Sequence, residues 1–99
     1  MNKELKKKAK IFLNTYNQVQ VIKAVEEMSE LSKELCKWYV EFQKMQYTSR
    51  SIHKMDDLEE NIAGELGDVY FMLYQIQILM GISDDDIDKV LSEKHLKEE

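Results

Sequence analysis

The chain contains no proline, three glycines and a single cysteine among its 99 residues. Because the tight turns of all-β folds depend on proline and glycine, their scarcity argues against such a fold. Cys36, as the one cysteine, excludes an internal disulfide and a cysteine-based metal site. The longest apolar stretch, residues 69–82, is interrupted by Gln75, Gln77 and Gly81 and is too short to span a bilayer. We therefore expect a helical protein without a membrane-spanning segment.

Length and composition indicate a single soluble, globular domain over residues 1–99. Hydrophobic residues make up 43% of the chain and charged residues 33%, a balance typical of soluble proteins. The formal net charge of -5 argues against a general nucleic-acid binder. The basic start of the chain precedes only a short apolar stretch, residues 11–13, which is too brief for the core of a signal peptide. We expect a cytoplasmic protein.

Apolar residues recur at intervals near 3.6 wherever the pattern is periodic, which predicts an all-α fold. The predicted helices cover residues 2–13, 17–46 and 56–80, and a fourth begins after Ser83. The segment 14–17 favours a turn, and residues 46–56 lack an apolar period and are predicted to form a loop. Asp56 is the expected N-cap of the third helix, and Gly81 is its expected C-terminal cap.

Two acidic motifs place carboxylates on adjacent helical turns: Glu26-Glu27-x-x-Glu30 in the second predicted helix and Glu65-x-x-Asp68 in the third. Side chains three residues apart point the same way, so each motif forms a pair of carboxylates. If the two helices face each other, Glu27, Glu30, Glu65 and Asp68 converge. Such an oxygen-rich site suits a hard divalent cation such as magnesium. Glu26 lies about 100° round the helix from Glu27, so we expect it not to bind the cation directly but either to support a ligand or to orient water.

At these residues the sequence resembles the MazG-like, all-α nucleoside triphosphate pyrophosphohydrolases, whose signature is Glu-Glu-x-x-Glu on one helix and Glu-x-x-Asp on a later one. Both motifs are present in that order, and the resemblance covers residues 15–95. It includes Gln18, the hydrophobic run 69–73 and the segment 81–87 that leads to Lys94. The resemblance implies an oligomeric four-helix bundle. The implied reaction cleaves a nucleoside triphosphate between its α and β phosphates, giving a monophosphate and pyrophosphate.

The resemblance also implies a cofactor and a set of site residues. Magnesium is the implied cofactor, with manganese as a substitute. The implied metal ligands are Glu27, Glu30, Glu65 and Asp68, and the implied catalytic residues are these four together with Glu26. Candidate substrate-binding residues are Lys23, Trp38, Asn61 and Lys94. Lys23 lies one turn before Glu27 and either pairs with that acid or contacts phosphate, and Trp38 either packs in the core or stacks on a base.

Both long predicted helices are also apolar on the side away from their predicted core, which predicts association with further copies of the chain. These residues are Ile22, Val25, Val40, Tyr70, Phe71, Tyr74 and Ile78. Gly64 and Gly67 lie away from the acids and are candidates for close approach by another helix. We expect a homodimer or homotetramer, with a nucleoside triphosphate as substrate and neither nucleic acid nor a membrane as partner.

Two other functions fit the same residues. A hydrolase of phosphoribosyl-ATP has a similar helical fold and acidic motifs, and a non-enzymatic helical interaction module needs only the apolar stripes. A ferritin-like di-iron bundle is disfavoured because the chain has no Glu-x-x-His pair.

Overall fold

The computed structural model of the chain describes residues 1–47 and 52–96. These residues form four α-helices and no strand: α1 (Lys3–Tyr16), α2 (Val19–Tyr47), α3 (Ile52–Met80) and α4 (Asp84–His95). The predicted all-α fold is confirmed for this part of the chain. None of these four helices is long and apolar enough to cross a membrane.

The first helix ends later than the sequence predicts. The expected end was residue 13, but α1 continues to Tyr16. Thr15 does not break the helix, because its hydroxyl donates a hydrogen bond of 2.9 Å to the Ile11 carbonyl one turn back. The chain turns at Asn17, whose φ of 55° lies in the left-handed region that asparagine tolerates better than most residues.

The third helix begins earlier than predicted, at Ile52. The expected N-cap at Asp56 is therefore wrong, since Asp56 lies inside α3. Met55 is 7% exposed and belongs to the packed face of the helix, so tertiary packing outweighs the local capping preference. Of the predicted 46–56 loop, residues 48–51 lie outside the described residues, and the remaining residues are helical.

The end of α3 confirms the predicted cap at Gly81, which has a φ of 69°. Its N–H donates to the Ile78 carbonyl at 3.2 Å, and the Ile82 N–H donates to the Gln77 carbonyl at 2.9 Å. These two bonds satisfy carbonyls that the last turn would leave without partners. The turn fixes the direction in which the chain leaves α3.

The fourth helix begins with a capping box and projects from the end of α3. The Asp86 N–H donates to Ser83 Oγ at 3.0 Å, and the Ser83 N–H donates to Asp86 Oδ2 at 2.9 Å. A hydrogen bond of 3.0 Å joins Gln77 Nε2 to Asp84 Oδ1, but α4 packs against no other described helix and buries none of its residues. Within one chain, α1, α2 and α3 pack together, and α4 extends away from them.

The two long helices, α2 and α3, run antiparallel and pack along most of their length. Most buried or half-buried residues of α2 recur at alternating intervals of four and three: Gln20, Ala24, Glu27, Leu31, Glu34, Trp38, Glu41 and Met45. The facing residues of α3 are Met55, Leu58, Ile62, Glu65, Val69, Met72 and Ile76. We call these two sets the α2–α3 interface. Gln20 pairs with Gln75 at one end, and Glu41 Oε1 lies 3.1 Å from Lys54 Nζ at the other.

The outer face of α2 is exposed, whereas α1 covers part of the outer face of α3. Phe71, Tyr74 and Ile78, which the sequence predicted to face another copy of the chain, are half-buried, and Phe71 contacts Phe12 of α1. Ile22 and Tyr70 are 61% and 63% exposed, and Val25 and Val40 are exposed as well. Among the described residues, a Cβ atom built on Gly64 or Gly67 meets no atom within 4 Å, so none of the four helices makes the expected close approach.

Candidate functional site

Three carboxylates from two helices meet at the α2–α3 interface. Oxygen atoms of Glu27, Glu65 and Asp68 all lie within 4.8 Å of one another. Glu65 and Asp68 share a face of α3 because they are three residues apart, and Glu27 reaches them from α2. We call this group the carboxylate triad. It contains three of the four metal ligands that the resemblance implies.

The surroundings of Glu65 disfavour a charged carboxylate. Its Oε2 atom is buried and has no hydrogen-bond partner. Burial raises its pKa above the ordinary value of 4.5, and the negative charges of Asp68, Glu27, Glu30 and Glu34 raise the pKa further. A cation bound to the triad would relieve both effects.

Lys23 partly neutralises the triad from one side. Its Nζ lies 3.1 Å from Glu27 Oε1 and 3.8 Å from Glu26 Oε2. The hydrogen bond and charge of Glu27 raise the pKa of the lysine, and Glu26 and Asp68 add to the rise. The predicted pairing with Glu27 is present, and the lysine side chain remains 51% exposed.

Glu30, the fourth implied ligand, lies outside the triad. Its side chain is 53% exposed, and Oε1 is 3.4 Å from Lys33 Nζ. Its charge still contributes to the raised pKa of Glu65. Glu26 is 63% exposed and is not a member of the triad. The structure therefore places both residues at the edge of the acidic region.

Glu34 is a member of the acidic region that the sequence prediction did not include in the site. Its Oε1 lies 3.1 Å from Lys37 Nζ, whereas its Oε2 is buried without a hydrogen-bond partner. Glu34 follows Glu27 by seven residues, so both side chains face α3. The repeat of Glu27, Glu34 and Glu41 at that interval is the sequence signal that identifies it.

A cleft of about 440 Å³ opens beside the triad, between α1, α2 and α3. Its lining residues are Phe12, Tyr16, Gln20, Lys23, Glu27, Asp68, Phe71, Met72 and Gln75. The lining combines the charged side chains of Lys23, Glu27 and Asp68 with the aromatic rings of Phe12, Tyr16 and Phe71. Phe12 stacks on Tyr16 and meets Phe71 edge to face, with ring centroids 5.8 Å apart in both pairs. The sequence prediction missed the two α1 aromatics, although their spacing of four residues places them on one helical face.

Of the four predicted substrate-binding residues, Lys23 lines this cleft and the other three do not. Trp38 stacks on Phe42 with centroids 5.1 Å apart, and its Nε1 donates to Glu59 Oε2 at 3.0 Å. Asn61 is exposed on α3 one turn before Glu65, and Lys94 is exposed in the last turn of α4.

No protein-family model, curated protein or solved structure matches the chain.

Proposed function

We propose that the chain is a magnesium-dependent nucleoside triphosphate pyrophosphohydrolase that yields a nucleoside monophosphate and pyrophosphate. The observation that carries the proposal is the carboxylate triad, which two helices form and of which Glu27 and Asp68 line a cleft. The motif resemblance supplies the reaction. The geometry supports it because carboxylates that can hold the metal lie beside aromatic rings on which the base can pack.

The donor set fits magnesium. Magnesium prefers oxygen ligands and is usually held by a few carboxylates, with waters and substrate phosphates completing its coordination. Glu27, Glu65 and Asp68 supply those carboxylates, and a cation would give the buried Oε2 of Glu65, which has no hydrogen-bond partner, an electrostatic partner. When bound, the metal would neutralise charge on the phosphate oxygens and lower the pKa of a coordinated water. Manganese has similar ligand preferences and is proposed as a substitute.

The charged residues around the triad have separate roles in this proposal. Lys23 is close enough to Glu27 to exchange that partner for a phosphate oxygen of the substrate, with its exposed ammonium as the donor. Glu26 is open to solvent one position before Glu27 and orients the attacking water. Glu30 and Glu34 add negative potential that favours a cation at the triad.

The aromatic part of the cleft is the proposed binding site for the nucleoside. The rings of Phe12, Tyr16 and Phe71 offer faces and edges on which a base can pack, and they exclude water from one side of the substrate. This assignment replaces Trp38 as the stacking residue, because Trp38 does not line the cleft and contacts Phe42 and Glu59 instead.

The active form is proposed to be a homodimer or homotetramer. The support is the exposure of apolar residues on the outer faces of the long helices, including Ile22, Val25 and Tyr70. Burial of such residues contributes about 25 cal/mol per Å² of apolar surface removed from water.

A substrate panel tests the proposed function. Common ribonucleoside and deoxyribonucleoside triphosphates, together with phosphoribosyl-ATP, are incubated with the protein and magnesium while pyrophosphate release is measured. Turnover of a nucleoside triphosphate supports the proposal, and turnover of phosphoribosyl-ATP alone supports the related hydrolase. Absence of hydrolysis throughout the panel, with no binding of magnesium, favours a non-enzymatic interaction module.

A further inference from the structure

Two buried glutamines line the cleft beside the triad but have no role in the proposed reaction. Gln75 is fully buried, and Gln20 is 6% exposed. A buried amide normally has its polar atoms in hydrogen bonds, because leaving them without partners is costly. The bonds that each amide makes therefore show which of its atoms remain for a ligand.

The hydrogen bonds of Gln75 fix the orientation of both amides. Gln75 Nε2 donates to the Phe71 carbonyl at 3.4 Å and to Met72 Sδ at 3.6 Å. Gln75 Oε1 therefore faces Gln20 and accepts the 2.7 Å bond from Gln20 Nε2. The Gln20 amide cannot be turned over, because its own Oε1 would then face the Oε1 of Gln75 and neither atom can donate.

This arrangement leaves Gln20 Oε1 as a hydrogen-bond acceptor in the cleft. Among the described residues, no group donates a hydrogen bond to this atom. The fully buried side-chain atoms without a partner in that part of the chain are Oε2 of Glu34 and Oε2 of Glu65, so Gln20 Oε1 retains contact with solvent. Because Gln20 lines the cleft and is otherwise buried, that contact is made through the cleft.

The position of this acceptor suits the base of a nucleotide whose phosphates lie at the triad. Gln20, Lys23 and Glu27 follow one another on the side of α2 that lines the cleft. Seven residues separate Gln20 from Glu27, which is about 10 Å along the helix axis. An extended nucleoside triphosphate with its phosphates at Lys23 and the triad spans this distance. The edge of its base then lies at Gln20, beside the aromatic rings of the cleft.

We propose that Gln20 Oε1 accepts a hydrogen bond from the exocyclic amine of the base, so that the site selects cytosine or adenine nucleotides. The corresponding bases uracil and hypoxanthine carry a carbonyl oxygen at the same position, which cannot donate to Gln20. The bond to Gln75 keeps the Gln20 amide from turning to offer an N–H instead. Two acceptors then face each other without a partner, which lowers affinity. This inference rests on the proposed function, because it requires a nucleotide in the cleft.

Isothermal titration calorimetry with nucleotide analogues and magnesium tests this selection. The probes are the α,β-methylene analogues of CTP, UTP, ATP and ITP, in which a carbon replaces the oxygen of the bond that the proposed reaction cleaves. CTP and UTP form one matched pair and ATP and ITP another, because each pair exchanges an amine for a carbonyl oxygen at one ring position. In at least one pair, the wild type should bind the amino analogue about tenfold more tightly, the effect of one hydrogen bond.

Two variants remove the acceptor. Gln20→Met should reduce the ratio of the two dissociation constants to about one, because methionine offers no comparable acceptor. Gln20→Met/Gln75→Met should do the same without leaving a buried amide that lacks its partner, and it replaces the single variant if that variant does not fold. The matched control is Gln43→Met, the same substitution near the other end of α2 and outside the cleft, which should keep the wild-type ratio.

The ratio separates base selection from a structural role of the glutamines. A purely structural role would weaken the binding of all four analogues equally, so a wild-type ratio in the Gln20 variants overturns the selection. A wild type that binds the amino analogue no more tightly than the oxo analogue in either pair also overturns it, and leaves the proposed function standing. Failure of all four analogues to bind overturns the selection and the proposed function together.

Discussion

The Gln20 side chain donates a buried hydrogen bond of 2.7 Å to Gln75 Oε1, joining α2 to α3. Seven residues separate Gln20 from Glu27, and seven separate Gln75 from Asp68. Because seven residues make about two helical turns, the same antiparallel register that pairs the glutamines brings Glu27 towards Asp68. The buried pair therefore fixes the alignment on which the carboxylate triad depends.

Loss of one glutamine should destabilise the protein. Gln75→Met removes the acceptor of the 2.7 Å bond and leaves the amide of Gln20, which is 6% exposed, without its partner. A buried polar group without a partner costs about 1–3 kcal/mol. The free energy of unfolding in urea should fall by an amount in that range, and affinity for magnesium should fall with it.

The double variant Gln20→Met/Gln75→Met provides the control for this prediction. It removes both polar groups, so it should be less destabilised than the sum of the two single variants. Strict additivity in this cycle would show that the two side chains do not interact as a pair.

The metal-free protein should lose stability as the pH rises through the titration of Glu65. The pKa of Glu65 is raised on folding, so the folded state holds this proton more tightly than the unfolded state. Its contribution is fully present below the ordinary pKa of 4.5 and is lost as the pH passes the raised pKa. Thermal midpoints measured in chelator should show this decline, and Glu65→Gln should remove that component.

Asp86 has the opposite effect on the pH dependence of stability, because it stabilises the folded state when its carboxylate is charged, and it acts in a separate, more acidic pH range. Its bonds to Ser83 lower its pKa below 3.8, so its contribution to stability is present above that value and disappears in stronger acid.

The exposed Glu60 supplies a matched control for the Glu65 variant, since Glu60→Gln should keep the decline in stability assigned to Glu65. A pH profile unchanged by Glu65→Gln would contradict the assignment.

Magnesium should raise the thermal midpoint of the wild type, because a cation that binds the folded triad shifts the unfolding equilibrium. The stabilisation is about 2.7 kcal/mol when the metal is at one hundred times its Kd. Glu65→Gln should abolish the shift, Glu30→Gln should reduce it less, and Glu60→Gln should leave it intact. Equal shifts in the Glu65 and Glu60 variants would place the cation elsewhere.

Local sequence signals predicted much of the fold. The helical period gave four helices, and the residues Gly81 and Ser83 act as the caps that their types favour. The errors at Tyr16 and Asp56 arose where a side-chain hydrogen bond or tertiary packing extended a helix past a favoured stop. Such extensions depend on partners that a local pattern does not contain.

The sequence predicted only part of the site, because contacts between helices also decide which residues meet there. The spacing of three residues in each motif indicated the pairs, but the register between helices determines which members meet. Glu27 faces α3, whereas Glu30 turns towards Lys33, and Glu34 returns to the interface one repeat later. The aromatics of α1 entered the site only through its packing against α3, as the contact between Phe12 and Phe71 shows.

The most direct test identifies the products formed from a nucleoside triphosphate. Phosphorus NMR detects these products for the wild type and for each variant. With magnesium present, the wild type should give a nucleoside monophosphate and pyrophosphate. Glu27→Gln, Glu65→Gln and Asp68→Asn should each lower the rate by about 100-fold or more, as expected for loss of a metal ligand or of charge stabilisation. Glu60→Gln should retain the wild-type rate. Release of a nucleoside diphosphate and phosphate, or wild-type rates in all three triad variants, would contradict the assignment of the triad as a pyrophosphohydrolase site.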